Sequence, residues 1–406
     1  MDTVNRAIIT GLTMTVITLL AMGAAFGEEP AAPAWSKRLQ DLTKTEKLTI
    51  EGKGYFRYVY DIQDAAQEGT GEDEAHDNSF ELWRFYFGVK SKVTPWLKMR
   101  FTLDIGPEKD TETTEDVVDE NPPDGVKHGH EVTGDARYQA FVKYAWLEAK
   151  LHKSVHLRAG VLDNPYHGVT DKFWGYRYVF KNIGDEEKLW NSADVGAYLR
   201  YELPAEIGEV FVGAVNGAGY KHAWDEDGNK DLWLSTILRP FKPLGGVGEM
   251  ITLGAIVMYP MPLEGDAERR VFVSGFAGVK HRFVTAGYQA VIDMKNGVND
   301  DDTINSDETV TGLGHAAYLR VDTPCKVGLL SRFVVWDTNS DKDEARTKYQ
   351  ALGGISYRPH KLFGVAASGV VTWWSDAAGL DPASISPEDS KDETEITVLL
   401  STEIKF

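Results

Sequence analysis

From Leu48 to Phe406 the sequence repeats one pattern, segments of about ten residues in which apolar and polar side chains alternate, set apart by turn-rich stretches. Successive side chains of a strand point to opposite faces, so each segment carries one apolar and one polar face. The parity is plainest at 97–105, where Leu97, Met99, Phe101, Leu103 and Ile105 oppose Lys98, Arg100, Thr102 and Asp104. At 81–90, Trp83, Phe85, Phe87 and Val89 oppose Arg84, Tyr86 and Lys90. At 138–146, Tyr138, Ala140, Val142, Tyr144 and Trp146 oppose Gln139 and Lys143. At 155–161, Val155, Leu157, Ala159 and Val161 oppose His156, Arg158 and Gly160. No window beyond residue 27 supplies about 20 consecutive apolar residues, which excludes a polytopic helical membrane protein.

Sixteen strands are predicted, at 48–62, 79–91, 96–105, 137–150, 154–162, 193–203, 208–216, 231–239, 250–260, 270–280, 282–292, 311–322, 325–336, 348–358, 361–374 and 394–405. A soluble sandwich alternates in the same way with its apolar face inward, but two features separate the cases. Aromatics gather near strand ends (Tyr55, Tyr58, Trp83, Tyr138, Trp146, Tyr259, Trp336 and Trp373), as interfacial girdles require. The connections also alternate, mostly long at odd positions and mostly short at even ones, such as 92–95, 151–153, 204–207, 323–324 and 359–360. The fold class expected is all-β: a transmembrane antiparallel barrel of 16 to 18 strands, with long extracellular loops and short periplasmic turns. Val398, Leu400, Ile404 and Phe406 share one face of the last segment, which resembles the terminal signal by which outer-membrane barrels are recognised for insertion.

Ahead of the barrel, Arg6 precedes an apolar stretch from Ala7 to Ala21, and Ala25 and Gly27 frame a small-residue cleavage site. Residues 1–27 therefore read as a secretory signal peptide, and 28–47 as a periplasmic N-terminal segment. The single cysteine, Cys325, cannot form an intramolecular disulfide.

The formal net charge of −19 disfavours nucleic acid as a partner, because that binding needs a positive phosphate-contacting face. The charge is also unevenly spread. Segments 63–77, 106–136, 221–231, 293–309, 337–347 and 375–393 hold 36 Asp and Glu against 8 Lys and Arg, which leaves +9 on the rest of the chain. Within strands the cations often fall on the polar parity: Arg84, Lys90, Lys98, Arg100, Lys143, Arg158, Arg200, Arg320, Arg332 and Arg358. On a barrel that face lines a water-filled lumen, since lipid-facing cations near mid-membrane cost roughly 2–4 kcal/mol each. Two readings stay open. Rings of Arg and Lys select anions, or these cations simply pair with lumen carboxylates such as Asp104, Glu148, Asp194 and Glu202.

The third long connection, 163–191, differs from the others. It carries Tyr166, Phe173, Trp174, Tyr176, Tyr178, Phe180 and Trp190, with Lys172, Arg177 and Lys181 between them. That composition suits a constriction loop folded against the inner wall; the alternative is a surface loop touching a neighbouring subunit. Other patterns fall short of a site. The run from Asp225 to Asp231 places its glycine at the fourth position, and Thr236 stands where an EF-hand loop would close with Glu. His128 and His130, near Glu131, read as a solvated loop rather than a metal site. No Ser/His/acid order stands out, and the glycine clusters at 217–219 and 245–248 lack the strand–helix context of a phosphate loop. No catalytic residue, cofactor or metal is expected.

Several stretches resemble Gram-negative porins of the phosphate-selective porin O and P-like group. These are Phe80-Glu-Leu-Trp-Arg-Phe-Tyr-Phe-Gly-Val, Leu97 to Asp104, Ala145-Trp-Leu-Glu, and Val155-His-Leu-Arg-Ala-Gly-Val-Leu-Asp-Asn-Pro-Tyr. The resemblance covers about residues 48–200 by motif. It implies a homotrimer in outer-membrane lipid and lipopolysaccharide, passing small ions and solutes, with basic roles for Arg84, Arg100, Arg158 and Lys172 or Arg177. No run of arginines along one strand marks a dedicated phosphate site, so an anion-leaning porin for small hydrophilic solutes is the function expected. Two rivals remain: a barrel sheath holding a partner such as a multihaem cytochrome, and an outer-membrane lipase. The sheath needs an open lumen, and the lipase needs a Ser/His pair that the sequence does not offer.

Overall fold

The computed structural model describes residues 47–62, 78–109, 136–222, 229–261, 270–298, 304–340, 347–375 and 394–406. Residues 1–27, 28–46, His128, His130, Glu131 and the acidic run up to Gly228 lie outside the described residues.

Sixteen strands form one closed antiparallel barrel. They are β1 (Leu48–Asp61), β2 (Asn78–Lys92), β3 (Leu97–Lys109), β4 (Ala136–His152), β5 (Val155–Asp163), β6 (Ala193–Glu202), β7 (Gly208–Val215) and β8 (Lys230–Leu238). After these come β9 (Ile251–Met261), β10 (Arg270–Lys280), β11 (Val284–Val298), β12 (Ile304–Asp322), β13 (Val327–Asp337), β14 (Thr347–His360), β15 (Phe363–Trp374) and β16 (Glu395–Lys405). Each strand pairs with its sequence neighbours, and β1 closes the ring on β16. At that seam Phe406 N–H donates to the Gly52 carbonyl at 3.0 Å and Gly52 N–H returns a bond to Phe406 at 3.2 Å. A Cβ at position 52 would stand 1.9 Å from the Phe406 ring, so only glycine lets that ring cover the joint.

The barrel is apolar outside and polar inside, which decides against the sandwich. Leu147, Val212, Leu329 and Leu400 are each more than half exposed, while inward Thr102, Asp104, Gln289 and Ser401 are 3 % exposed or less. The connections sort onto two rims as expected. The exception is 239–250 on the short-turn rim, which winds through two 3-10 helices, Lys242–Leu244 and Gly246–Met250.

Two expectations need correction. The acidic stretch 293–309 was expected as a loop, yet β11 and β12 continue their ladder through Asp293, Met294 and Lys295, opposite Gly312, Thr311 and Val310. Backbone pairing is made by N–H and C=O groups, so the ladder needs no apolar side chains to continue. Four of the eight girdle aromatics face inward instead. Tyr55 and Trp336 lie on the polar parity of their strands and are 2 % and 7 % exposed. Trp83 and Trp146 were placed on the apolar face, but β-bulges flip the parity. The β1–β2 register skips Trp83, and the β3–β4 register skips Lys143, so Trp83, Tyr144 and Trp146 join the inner wall.

Candidate functional site

The connection from β5 to β6 folds into the barrel. Asp163 ends β5, and Asn164 caps helix α1 (Pro165–Trp174) by accepting from the N–H groups of Tyr166 and His167. Pro165 suits the first helical position, and Gly175, at φ 71°, stops the helix in the left-handed region. A second short helix, α2 (Ile183–Glu186), is capped by Asn182. The base is pinched shut where Asn164 N–H donates to Ser192 O at 3.1 Å.

Aromatic side chains seat this loop along half of the wall. The Tyr166 hydroxyl meets Ser274 Oγ at 2.6 Å on β10, and Phe173 lies 4.9 Å from the Phe276 ring. Trp190 packs at 4.9 Å on Phe272, and the Tyr176 hydroxyl meets Ser356 Oγ at 2.7 Å on β14. Tyr178 reaches Tyr55 on β1, with ring centroids 6.3 Å apart. Further clamps are ionic: Arg332 on β13 donates to the Lys181 carbonyl and pairs with Glu186, and Lys348 pairs with Glu187 at 2.8 Å. Inside the loop Arg177 holds both Asp171, at 3.0 Å, and Asp185. Burial by itself would raise both carboxyls, but the Arg177 guanidinium overrides it and holds them below the usual carboxylate range.

On the side of β1 to β4, the wall and α1 enclose a cavity of about 550 Å³. Seven cations line it (Lys53, Lys90, Arg100, Lys143, Lys172, Arg177 and Lys405) against three carboxylates, Glu51, Asp163 and Asp171. Several carboxylates that partner these cations, Asp104, Asp185 and Glu403, are not part of the lining.

All ten strand cations singled out from the sequence have a carboxylate within ion-pair distance, Lys90 pairing with Glu51 at 2.7 Å and Arg358 with Glu403 at 3.2 Å. Arg84 and Lys143 share Asp104, while Lys98, Arg158 and Arg200 converge on Glu148. Arg100 pairs with Glu51 at 3.3 Å, Arg320 with Asp322 at 2.7 Å, and Arg332 with Glu186. Asp194, offered as a partner for a cation, instead accepts from the N–H groups of Val195 and Gly217. Of the loop cations, Arg177 is paired, whereas the Lys172 and Lys181 ammonium groups have no carboxylate within ion-pair distance among the described residues. Of the predicted set, Lys90, Arg100, Lys143, Lys172 and Arg177 meet at the cavity and the rest do not line it.

Three contributors were missed. Lys53 and Lys405 lie on the polar parity of β1 and β16 and were legible there. Tyr220, on the β7–β8 connection, reaches inward to donate to Asp104 at 2.7 Å beside Lys143, a contact across 116 residues that no local pattern announces.

No family model matches this sequence, and no curated protein matches it, so the likeness to the phosphate-selective group gains no support from either. Solved structures do match over nearly the whole chain. An anion-selective porin from Comamonas acidovorans superimposes with a TM-score of 0.55 at 11% identity, over 88% of this chain and 99% of that one. The outer-membrane expressed OmpT of Vibrio cholerae gives 0.54 at 10%, over 89% and 99%. The outer membrane channel DcaP of Acinetobacter baumannii gives 0.52 at 13%, over 88% and 97%. The chain thus has the closed 16-stranded barrel fold of Gram-negative outer-membrane porins.

Proposed function

We propose that this protein is an outer-membrane porin, a water-filled channel through which small hydrophilic solutes diffuse passively, with a lean toward anions that includes phosphate-type oxyanions. The observation that carries this reading is the cavity between α1 and β1–β4, lined by seven cations and three carboxylates within a barrel whose outside is apolar. Cations at a constriction favour anions because a narrow, low-dielectric passage strengthens each charge. The 163–191 loop is the constriction element, narrowing the lumen from the β9–β14 side. Its seating also speaks against a sheath around a partner protein, which would need that space.

On this reading the exterior meets outer-membrane lipid and lipopolysaccharide in a Gram-negative bacterium. The long connections face outward, and the short turns, with both ends of the barrel, face the periplasm. Three copies assemble as a homotrimer. Single-channel recording in a planar bilayer under a salt gradient tests the proposal. An anion-directed reversal potential supports it, and a cation-directed one transfers selectivity to the acidic connections. A purified, folded barrel that does not conduct overturns it.

A further inference from the structure

The cations of the cavity are not equivalent. Lys90 and Arg100 share Glu51, Lys143 has Asp104, Arg177 has two aspartates and Lys405 has Glu403 at 2.7 Å. Of the seven, Lys172 and Lys53 have no carboxylate within ion-pair distance among the described residues, and Lys53 is the one beside aromatic rings. Its ammonium stands instead over two rings, 5.5 Å from the Tyr55 centroid and 5.8 Å from that of Tyr86. An incoming anion can therefore meet Lys53 without displacing an internal acid. The Tyr86 hydroxyl oxygen is itself buried, so Tyr86 contributes its ring to this cavity rather than a donor.

Beside this point the lining is flat and aromatic. The Arg100 guanidinium lies over the Tyr144 ring at 4.2 Å, and Tyr55, Tyr86, Leu362 and Phe406 complete the apolar part. A guanidinium stacked on one ring offers its other planar face to a second ring. Inorganic phosphate calls for several converging donors without other commitments. This cavity offers two such ammonium groups, Lys53 and Lys172, of which Lys53 stands beside the stacking surface. That combination fits a single anionic head on a planar body.

We propose that Lys53 docks the carboxylate of an aromatic monocarboxylate, whose ring stacks on the Tyr86–Arg100–Tyr144 surface. This rests on the channel reading above and names its preferred solute class.

The test uses the full chain in detergent, with benzoate, acetate and inorganic phosphate titrated at equal ionic strength by calorimetry. The same anions are then compared as blockers of bilayer conductance. Benzoate is expected to bind about tenfold more tightly than acetate or phosphate, from ring stacking alone. Lys53→Gln is expected to weaken benzoate about tenfold or more, the loss of one charge-assisted bond. Tyr86→Leu weakens benzoate about fivefold and leaves acetate unchanged, whereas Tyr86→Phe, which keeps the ring, stays within about twofold. Heat-dependent electrophoretic mobility checks that each variant folds. Equal or tighter binding of phosphate or acetate overturns the proposal, as does benzoate binding indifferent to Lys53→Gln. A conducting, anion-leaning channel without benzoate preference overturns this proposal alone. Benzoate binding by a folded barrel that does not conduct overturns the porin reading alone.

Discussion

Arg177 holds two carboxylates in one loop, and the order of that loop depends on the arrangement. Its side chain is 16 % exposed, and those of Asp171 and Asp185 are 18 % and 16 % exposed. Removing one partner of a buried ion pair leaves uncompensated charge, which typically costs about 3–5 kcal/mol. Arg177→Ala is therefore expected to loosen the loop by that order, read as a lower thermal midpoint and a weaker near-ultraviolet dichroism from Trp174 and Trp190. Asp171 is also bonded by Asn182 at 2.5 Å and lies 3.3 Å from His167 Nε2. The carboxyls of Asp171 and Asp185 are held below the ordinary 3.8, so the folded loop binds fewer protons than the unfolded one. Their stabilisation is complete at neutral pH and lost as pH falls below about 3.8. The dichroism of the folded barrel should stay flat from pH 7 to 5 and decline only below 4. A decline that begins above pH 5 would exclude these two carboxyls as its cause.

The loop as an element is fixed by a few tethers spread over many strands. Arg332 is 4 % exposed and joins α2 to the wall through the Lys181 carbonyl, Glu186 and Gln350. Arg332→Ala removes that clamp and leaves Glu186 with Lys348 alone among these ion-pair partners. The expected outcome is a barrel that folds and conducts with excess open-channel noise, and a loss of about 3–5 kcal/mol in thermal or denaturant unfolding. Unchanged noise with unchanged stability would show that the aromatic contacts hold the loop by themselves. Strand parity made the barrel legible, because a period of two with the apolar side outward leaves few other folds. The seven aromatics between residues 166 and 190 likewise pointed to an inward loop. The β-bulges at Trp83 and Lys143 were not legible: one extra residue in a ladder leaves composition unchanged and reverses every side chain beyond it. The pairing of Lys143 with Asp104 and Tyr220 was equally hidden, since it depends on which distant strands become neighbours.

On the channel reading, charge at the scale of the whole molecule is layered along the passage. The six acidic segments carry −28 and the remainder +9, while the cavity beside α1 presents seven cations and three carboxylates. These layers differ in range. Fields act over about 30 Å at 0.01 M salt and about 3 Å at 1 M. In dilute salt a permeating ion therefore feels the acidic connections together with the constriction, and the two oppose each other. In concentrated salt only charges within contact distance of the ion still act. Those are the groups lining the cavity, seven cations and three carboxylates. Anion preference should accordingly grow as salt is raised, the reverse of a channel whose selectivity comes from a fixed charge at its mouth. Reversal potentials measured at a constant salt ratio and rising absolute concentration report this directly. The predicted course is a shift toward the anion equilibrium potential between 0.03 M and 1 M, on the order of the ionic strengths that span this screening range. Neutralising the acids of 63–77 and 375–393 should steepen anion preference at the dilute end and leave the concentrated end unmoved. Preference that falls as salt rises would place the selecting charge in the connections rather than at the constriction.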